Sequence, residues 1–487
     1  MLVLVAVGGA LIGSFLNVII FRLPRGLSIS YPRWSFCPHC QHRIRPYHNL
    51  PVIGWLWLRG RCRDCEAPIS VVYPIVECAT SLLFVMVWDA LFAARMLPGI
   101  EQPAIDWPIA VALLVLFSGL LATSVMDIES YTIDIRLSFF TMVVGVICHA
   151  IRGMPAGPVA SDVGRVGAEK MSGMLPASLC LIGVAMGAAW WLTAFVATRL
   201  MKSGDPEHAS LPPSHEDSSE TEPDATAYTQ TAGQRFRPWP VILFGGFVIG
   251  MVFWQHFAAG RGAGDWVEGG AQRGGLASIV FMTLLILASV IKRESDVQII
   301  HELEAERDQA RRIALHEFGW LLPSILVGAG LFVYFRMSGK MTADFPALIG
   351  FSAPAGGWAD HLYGGCQAVA GMIFAAALGW AVRILGTLAF AKEAYGTGDI
   401  YIMAAIGAVA GIWAVTFTFF LASLLALLGV AITIFWKSSR AIPFGPWLAL
   451  GAFVNLWLFK SLLGTFWNAG SMLWMIVSGQ PLWFSEH

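Results

Sequence analysis

The sequence predicts an all-α polytopic membrane protein, a helical bundle of about 12 spans with a small zinc-ribbon-like subdomain on its cytoplasmic side. Three observations lead there. Of the 487 residues, 56% are hydrophobic and 13% charged, and the mean hydropathy is +0.66, values far from those of a soluble domain. Apolar runs recur along the chain, each near the roughly 20 residues that carry a helix across a bilayer. The polar stretch after the first run holds Cys37-Pro-His-Cys40 and Cys62-Arg-Asp-Cys65 among Arg22, Arg25, Arg33, Arg43, Arg45, Arg59, Arg61 and Arg63. A net charge of -1 leaves no surplus of Lys and Arg to neutralise phosphates, so the lipid bilayer is the expected partner and nucleic acid is not.

In chain order, residues 1–22 form the first transmembrane helix. No basic residue precedes this run and no small-residue cleavage site follows it, so it reads as a retained helix and not as a cleaved signal. Residues 23–72 form a cytoplasmic four-Cys subdomain, placed inside by its arginines. Four thiols in a reducing compartment favour a metal over disulfides, and the ligand set Cys37, Cys40, Cys62 and Cys65 is the one a structural zinc takes, with no open coordination position for chemistry. His39, His42 and His48 read as solvated loop residues.

Residues 73–152 hold the first membrane part, with spans near 73–92, the run ending at Asp127, and 137–150. Residues 153–365 look inserted: spans near 176–200, 239–257, 276–291 and 319–336, an acidic Pro-rich linker at 202–237 expected to be disordered, and an amphipathic helix at 292–318. An even number of spans there returns the chain to the same face. Residues 366–487 form the second membrane part: a span near 366–390, an apolar run from Asp399 to Trp436 long enough for two spans with a turn near Gly411, and a last span opened by Pro443-Phe-Gly-Pro446. Tryptophans after residue 465 are expected at the interface.

Two aspartates stand out. Asp127 ends one apolar run and Asp399 begins another, and counting crossings puts both on one face. An ionisable residue at that depth is a functional candidate by default, and two such carboxylates can divide the acid and base roles of hydrolysis. Gly396 and Gly398 free the backbone beside Asp399 as an active-site loop. Glu129 and Asp134 are the competing acids, read as supporting or structural. A transporter is the alternative in another class, since paired membrane acids also couple proton or cation movement; the four-Cys segment and the lack of an evident inverted repeat count against it.

At these residues the chain resembles the type IV prepilin peptidases, membrane aspartic proteases. The resemblance runs from Gly13-Ser-Phe-Leu-Asn-Val-Ile-Ile-Phe-Arg-Leu-Pro24 through Cys37-Pro-His-Cys40, Tyr47-His-Asn-Leu-Pro51, Leu58-Arg-Gly-Arg-Cys62, Cys65 and Ala67-Pro-Ile-Ser70 to Tyr73-Pro-Ile-Val-Glu77. It resumes at Asp127, Gly396-Thr-Gly-Asp399 and Ile442-Pro-Phe-Gly-Pro446 with Leu448-Ala-Leu450, and leaves the region between unaccounted for. It implies catalytic Asp127 and Asp399, and prepilin or type II secretion pseudopilin substrates cut just before their hydrophobic helix. It also implies a site in the inner membrane of a bacterium and, in bifunctional members, N-methylation of the new amino terminus with S-adenosylmethionine. The alternatives are a peptidase without methyl transfer and a non-catalytic scaffold on the same fold. The chain departs from the family pattern at Tyr401, where Lys is usual, and at Asp134-Ile135, where Pro-Asp is usual.

Overall fold

The computed structural model describes residues 1–93, 97, 100, 102–130, 133–153, 177–203, 310–340, 348, 358–390, 393–435 and 443–458. The linker at 202–237 (beyond Ser203), the spans near 239–257 and 276–291, the stretch 292–309 and the tryptophan-bearing tail lie outside these residues. Among the described residues there is no β-strand, only two isolated bridges, and eight helices are long and apolar enough to cross a membrane. The helices are α1 (Leu2–Arg22), α2 (Ile53–Trp57), α3 (Val72–Trp88), α4 (Pro103–Ser130), α5 (Ile135–Arg152), α6 (Ala177–Ser203), α7 (Ala310–Met337), α8 (Trp358–Phe390), α9 (Thr397–Phe435) and the shorter α10 (Gly445–Leu458).

Helix α1 shows how sequence becomes packing. Val3, Leu4, Val7, Leu11 and Phe15 share one exposed face suited to lipid, while Gly9, Gly13, Leu16, Asn17 and Ile20 are buried on the other. Gly9 and Gly13 are four residues apart and line the approach to α3. A Cβ at Gly13 would stand 2.6 Å from the Glu77 Cα, and one at Gly9 2.8 Å from the Ser81 Cα. Small residues at this spacing let two membrane helices close on dispersion and polar contacts, since lipid offers no hydrophobic drive between them. The Ser81 hydroxyl donates to the Ala6 carbonyl at 2.8 Å, and the Asn17 side-chain amide donates to the Tyr73 carbonyl at 3.0 Å.

The central cluster draws on α3, α4, α8, α9 and α10 through residues such as Val87, Ala112, Ala375, Met403, Ile406 and Trp447. Helices α8 and α9 meet through Gly371, Ala375 and Gly407, again by way of small residues. Helix α9 is broken at Gly411, which adopts φ 83 and ψ 179. The Tyr395 ring just before α9 stands 6.3 Å from the Phe419 ring. An unbroken helix would hold those rings on the order of 30 Å apart, so the chain turns back at Gly411, where only glycine takes this backbone conformation without strain. The turn expected near Gly411 is therefore present.

Helices of the inserted region pack on this bundle. A Cβ at Gly183 of α6 would lie 2.9 Å from the Ala370 Cα of α8, and one at Gly328 of α7 would lie 2.5 Å from the Met186 sulfur of α6. Residues 310–318, expected at the end of an amphipathic helix, continue without a break into the apolar part of α7. Gly13→Leu is expected to force α1 from α3 and lower stability by about 1–3 kcal/mol. Thermal unfolding in detergent measures this, with Gly8→Leu, which meets nothing within 4 Å, as the control that stays at the wild-type midpoint.

Candidate active site

Asp127 lies in the last turns of α4 and Asp399 in the first turn of α9. Both are buried, at 6% and 8% exposure, and lie near enough for the charge of Asp127 to be felt at Asp399. The structure thus brings together the two carboxylates singled out in the sequence. Asp127 Oδ2 and Asp399 Oδ1 each lack a hydrogen-bond partner among the described residues. A buried carboxylate oxygen without a partner is costly, and such exceptions concentrate where a ligand or substrate completes the set.

Three glycines keep the surroundings narrow. The Gly445 backbone N–H faces the Asp127 carboxylate, and a Cβ there would come within 2.7 Å of Oδ2. A Cβ at Gly396 would stand 3.1 Å from Asp399 Oδ2, and one at Gly398 2.9 Å from Ile133. Gly396 and Gly398 were expected here on sequence grounds. Gly445 was visible only as part of Pro443-Phe-Gly-Pro446, with no sign of what it approaches. Tyr395 connects the segment of Asp399 to that of Gly445: its ring packs 5.5 Å from Phe444, and its hydroxyl donates to the Met403 sulfur at 3.1 Å.

The competing acids stand elsewhere. Glu129 is exposed near the end of α4. Asp134 is the N-cap of α5, its Oδ1 accepting from the Arg136 backbone N–H at 2.8 Å, which satisfies one of the free donors of the helix start.

The four cysteines converge, their sulfurs all within 4.8 Å of one another. Cys37 and Cys65 sulfurs are 3.8 Å apart and those of Cys40 and Cys62 4.0 Å. A tetrahedron with metal–sulfur bonds of about 2.3 Å has edges of about 3.8 Å, so the cluster could hold a metal ion such as zinc. Two matching turns build it. The Cys37 N–H donates to the His42 carbonyl and the Cys62 N–H to the Ala67 carbonyl; the Gln41 N–H returns to Cys37 and the Glu66 N–H to Cys62. Gln41 and Glu66 share a left-handed backbone, with φ 59 and 56. Burial pushes the Cys37 thiol up to about 12, an opposition to thiolate that a coordinated cation offsets. His39 and His42 are exposed and stay outside the group.

The subdomain is anchored at the Asp127 end of the bundle. Arg22 at the end of α1 donates to the carbonyls of Ser28, Ile29, Pro32 and Trp34. The Val52 N–H donates to Glu77 Oε2 at 2.7 Å, joining the subdomain to α3. Leu23, Val76 and Met126 share one buried cluster, and Met126 is the neighbour of Asp127. Glu77 appeared in the sequence motif without a role; its carboxylate is the tie between subdomain and bundle.

Comparisons with known proteins agree with this architecture. Residues 7–91 match the family model described as the bacterial peptidase A24 N-terminal domain. It is 40% identical over 145 residues to a type 4 prepilin-like proteins leader peptide-processing enzyme of Escherichia coli O78:H11, covering 26% of this chain and 49% of the relative. It is 35% identical over 167 residues to a prepilin leader peptidase/N-methyltransferase of Aeromonas hydrophila, covering 29% and 53%. With a protein of the same description from Myxococcus xanthus it shares 39% over 148 residues, covering 30% and 40%. The chain spans about half the length of the curated relatives it matches. No solved structure matches it. The resemblance drawn from the motifs is borne out by these relatives.

Asp134→Ala is expected to remove the α5 cap and cost about 1 kcal/mol, with Asp134→Ser close to wild type. Thermal unfolding of both variants in detergent checks this, and a midpoint unchanged in the Ala variant would remove the capping role.

Proposed function

We propose that this chain is a membrane aspartic endopeptidase that removes the basic leader from type IV prepilins or type II secretion pseudopilins. The observation that carries the reading is the neighbouring buried pair Asp127 and Asp399, each with an unpartnered oxygen, set among glycines at one end of an apolar bundle. Two carboxylates so placed share one proton. The ionised member takes a proton from a water, which attacks the scissile carbonyl, and the protonated member gives its proton to the leaving amine. At Gly396 and Gly445 the absence of a side chain lets backbone come close to Asp399 and Asp127 respectively. The arginine-rich subdomain at the Asp127 end favours a cytoplasmic face for the site, in the inner membrane of a bacterium. A transporter would have no need of the peptidase A24 domain at residues 7–91, which favours the enzyme.

The metal is proposed as zinc, held by Cys37, Cys40, Cys62 and Cys65. Four thiolates leave it no open position, so it braces the subdomain and takes no part in hydrolysis. N-methylation of the new amino terminus is a second reading, favoured by the relatives described as peptidase/N-methyltransferases. The cavity lined by Phe117, His149, Arg152, Gly364, Gly411 and Asn455 lies at the opposite end of α4, where Asp106 pairs with Arg152 at 2.7 Å. No step of the mechanism passes through that cofactor.

Asp127→Asn and Asp399→Asn are each expected to lower cleavage of a co-expressed prepilin by about 10²- to 10⁴-fold or more while the protein stays inserted. Intact-mass analysis of the prepilin reads both activities, leader loss reporting cleavage and a further gain of one methyl group reporting methylation. Full processing by either folded variant rejects the pair. Metal analysis of the purified protein should find about one zinc per chain, and Cys37→Ser should lower the unfolding midpoint before it changes the cleavage rate of the folded fraction. A metal-free preparation with normal folding and cleavage would remove zinc from the account.

A further inference from the structure

One buried guanidinium joins the inserted region to the segment that carries Asp399. Arg383 of α8 is 8% exposed. Its Nε donates to Glu317 Oε1 and Oε2 at 3.1 and 3.0 Å, and Nη2 donates to Oε1 at 3.0 Å. Its Nη1 donates to the Glu393 carboxylate and, at 2.6 Å, to the Tyr395 carbonyl. Glu317 belongs to α7, inside the region that the prepilin peptidase motifs leave unaccounted for. Glu393 and Tyr395 lead directly into Gly396-Thr-Gly-Asp399.

The chemistry of this junction is directional. A guanidinium is planar and its donors point along fixed lines, so one that is bidentate to Glu317 on one edge has no freedom in where its other edge points. That other edge holds the carbonyl of Tyr395, four residues before Asp399. Tyr395 in turn packs against Phe444, the neighbour of the Gly445 that faces Asp127. The strut therefore ends on a residue that leads into the Asp399 turn and packs on the segment whose Gly445 faces Asp127. Without Glu317 the buried cation would keep only the more exposed Glu393 as counter-charge, whose side chain is 36% exposed against 17% for Glu317.

We propose that Glu317, acting through Arg383, is a positioning residue for Asp399, so that the inserted helix α7 sets the geometry of the catalytic pair. This rests on the peptidase reading above. Glu317 touches neither carboxylate; it fixes the guanidinium, the guanidinium fixes the Tyr395 carbonyl, and the carbonyl fixes the start of the Gly-Thr-Gly-Asp turn.

The test uses the full chain in detergent with a purified prepilin. Glu317→Gln keeps shape and removes charge, and its kcat per folded molecule should fall on the order of tenfold with KM within about twofold, because misplacement of a reacting group acts on the chemical step. Glu317→Asp, which retains the charge, should recover part of the loss. Hydrogen exchange of the backbone amides of residues 395–399 should be faster in Glu317→Gln than in wild type, while amides of α1 and α3 stay the same. A merely structural ion pair would lower the unfolding midpoint and leave kcat per folded molecule and the local exchange unchanged; that result overturns the proposal. Arg383→Gln is a harsher variant, and Glu317→Gln decides the matter if Arg383→Gln fails to fold. If wild type does not cleave prepilin, the peptidase reading falls by itself, and the exchange comparison alone then decides whether Glu317 holds the Asp399 segment.

Discussion

Within an apolar bundle a polar side chain gains from a partner inside the protein, and this constraint places the charged and amide side chains that tie the described helices together. Asp106 pairs with Arg152 at one end of the bundle. Arg383 is bonded by two carboxylates and a carbonyl at the other. Asn17 gives its amide to a carbonyl and Glu77 accepts from a backbone N–H. Asp127 and Asp399 each keep an oxygen without a partner among the described residues, as do the uncharged side chains of Ser118, Ser324, Trp447, Asn455 and Trp457 at one atom each. The two aspartates differ from the others in being ionisable acids, whose open oxygens cost most to leave unpaired.

Holding two such carboxylates together requires helices that approach closely, and small residues make the approach. The α1–α3 contact at Gly9 and Gly13 and the α8–α9 contact at Gly371 and Gly407 leave no space for a Cβ. Close backbone contact compensates for the missing hydrophobic drive and fixes the helices in register. Register matters because Asp127 and Asp399 come from opposite helix ends, a C-terminal turn and an N-terminal turn. A rotation of either helix about its axis would carry its carboxylate out to lipid.

Much of this was legible in the sequence, for physical reasons. Span length is set by bilayer thickness, so the apolar runs show themselves; thiol spacing is set by a turn around a metal, so Cys37, Cys40, Cys62 and Cys65 do too. The break at Gly411 was readable because the apolar run exceeds what one crossing needs. The ion-pair cluster of Arg383 was not. Glu317 and Glu393 are ordinary acids in their local sequence, and only the packing of α7 on α8 brings them to one guanidinium. Glu77 likewise looks like a stray acid in an apolar run until its partner Val52 is seen. The role of Asp134 was open between site and support, and the Arg136 N–H decides for a cap.

The two ends of the resemblance to prepilin peptidases differ in what supports them. Residues 7–91 carry the domain match, and their structure is tied internally by Arg22, Glu77 and the paired cysteine turns. Asp399 lies far beyond that match and is steadied instead by α8 and α7, one of them from the inserted region. An insertion that only rode beside the bundle would meet it through apolar side chains facing apolar side chains, as α6 meets α8 at Gly183 and Ala370. The carboxylate of Glu317 reaches past that kind of contact to a cation deep in α8. A buried ion pair is weak ground for stability, since apolar packing of the same volume does as well. What it supplies and apolar packing does not is direction, and here the direction is toward the carbonyl that precedes the turn bearing Asp399.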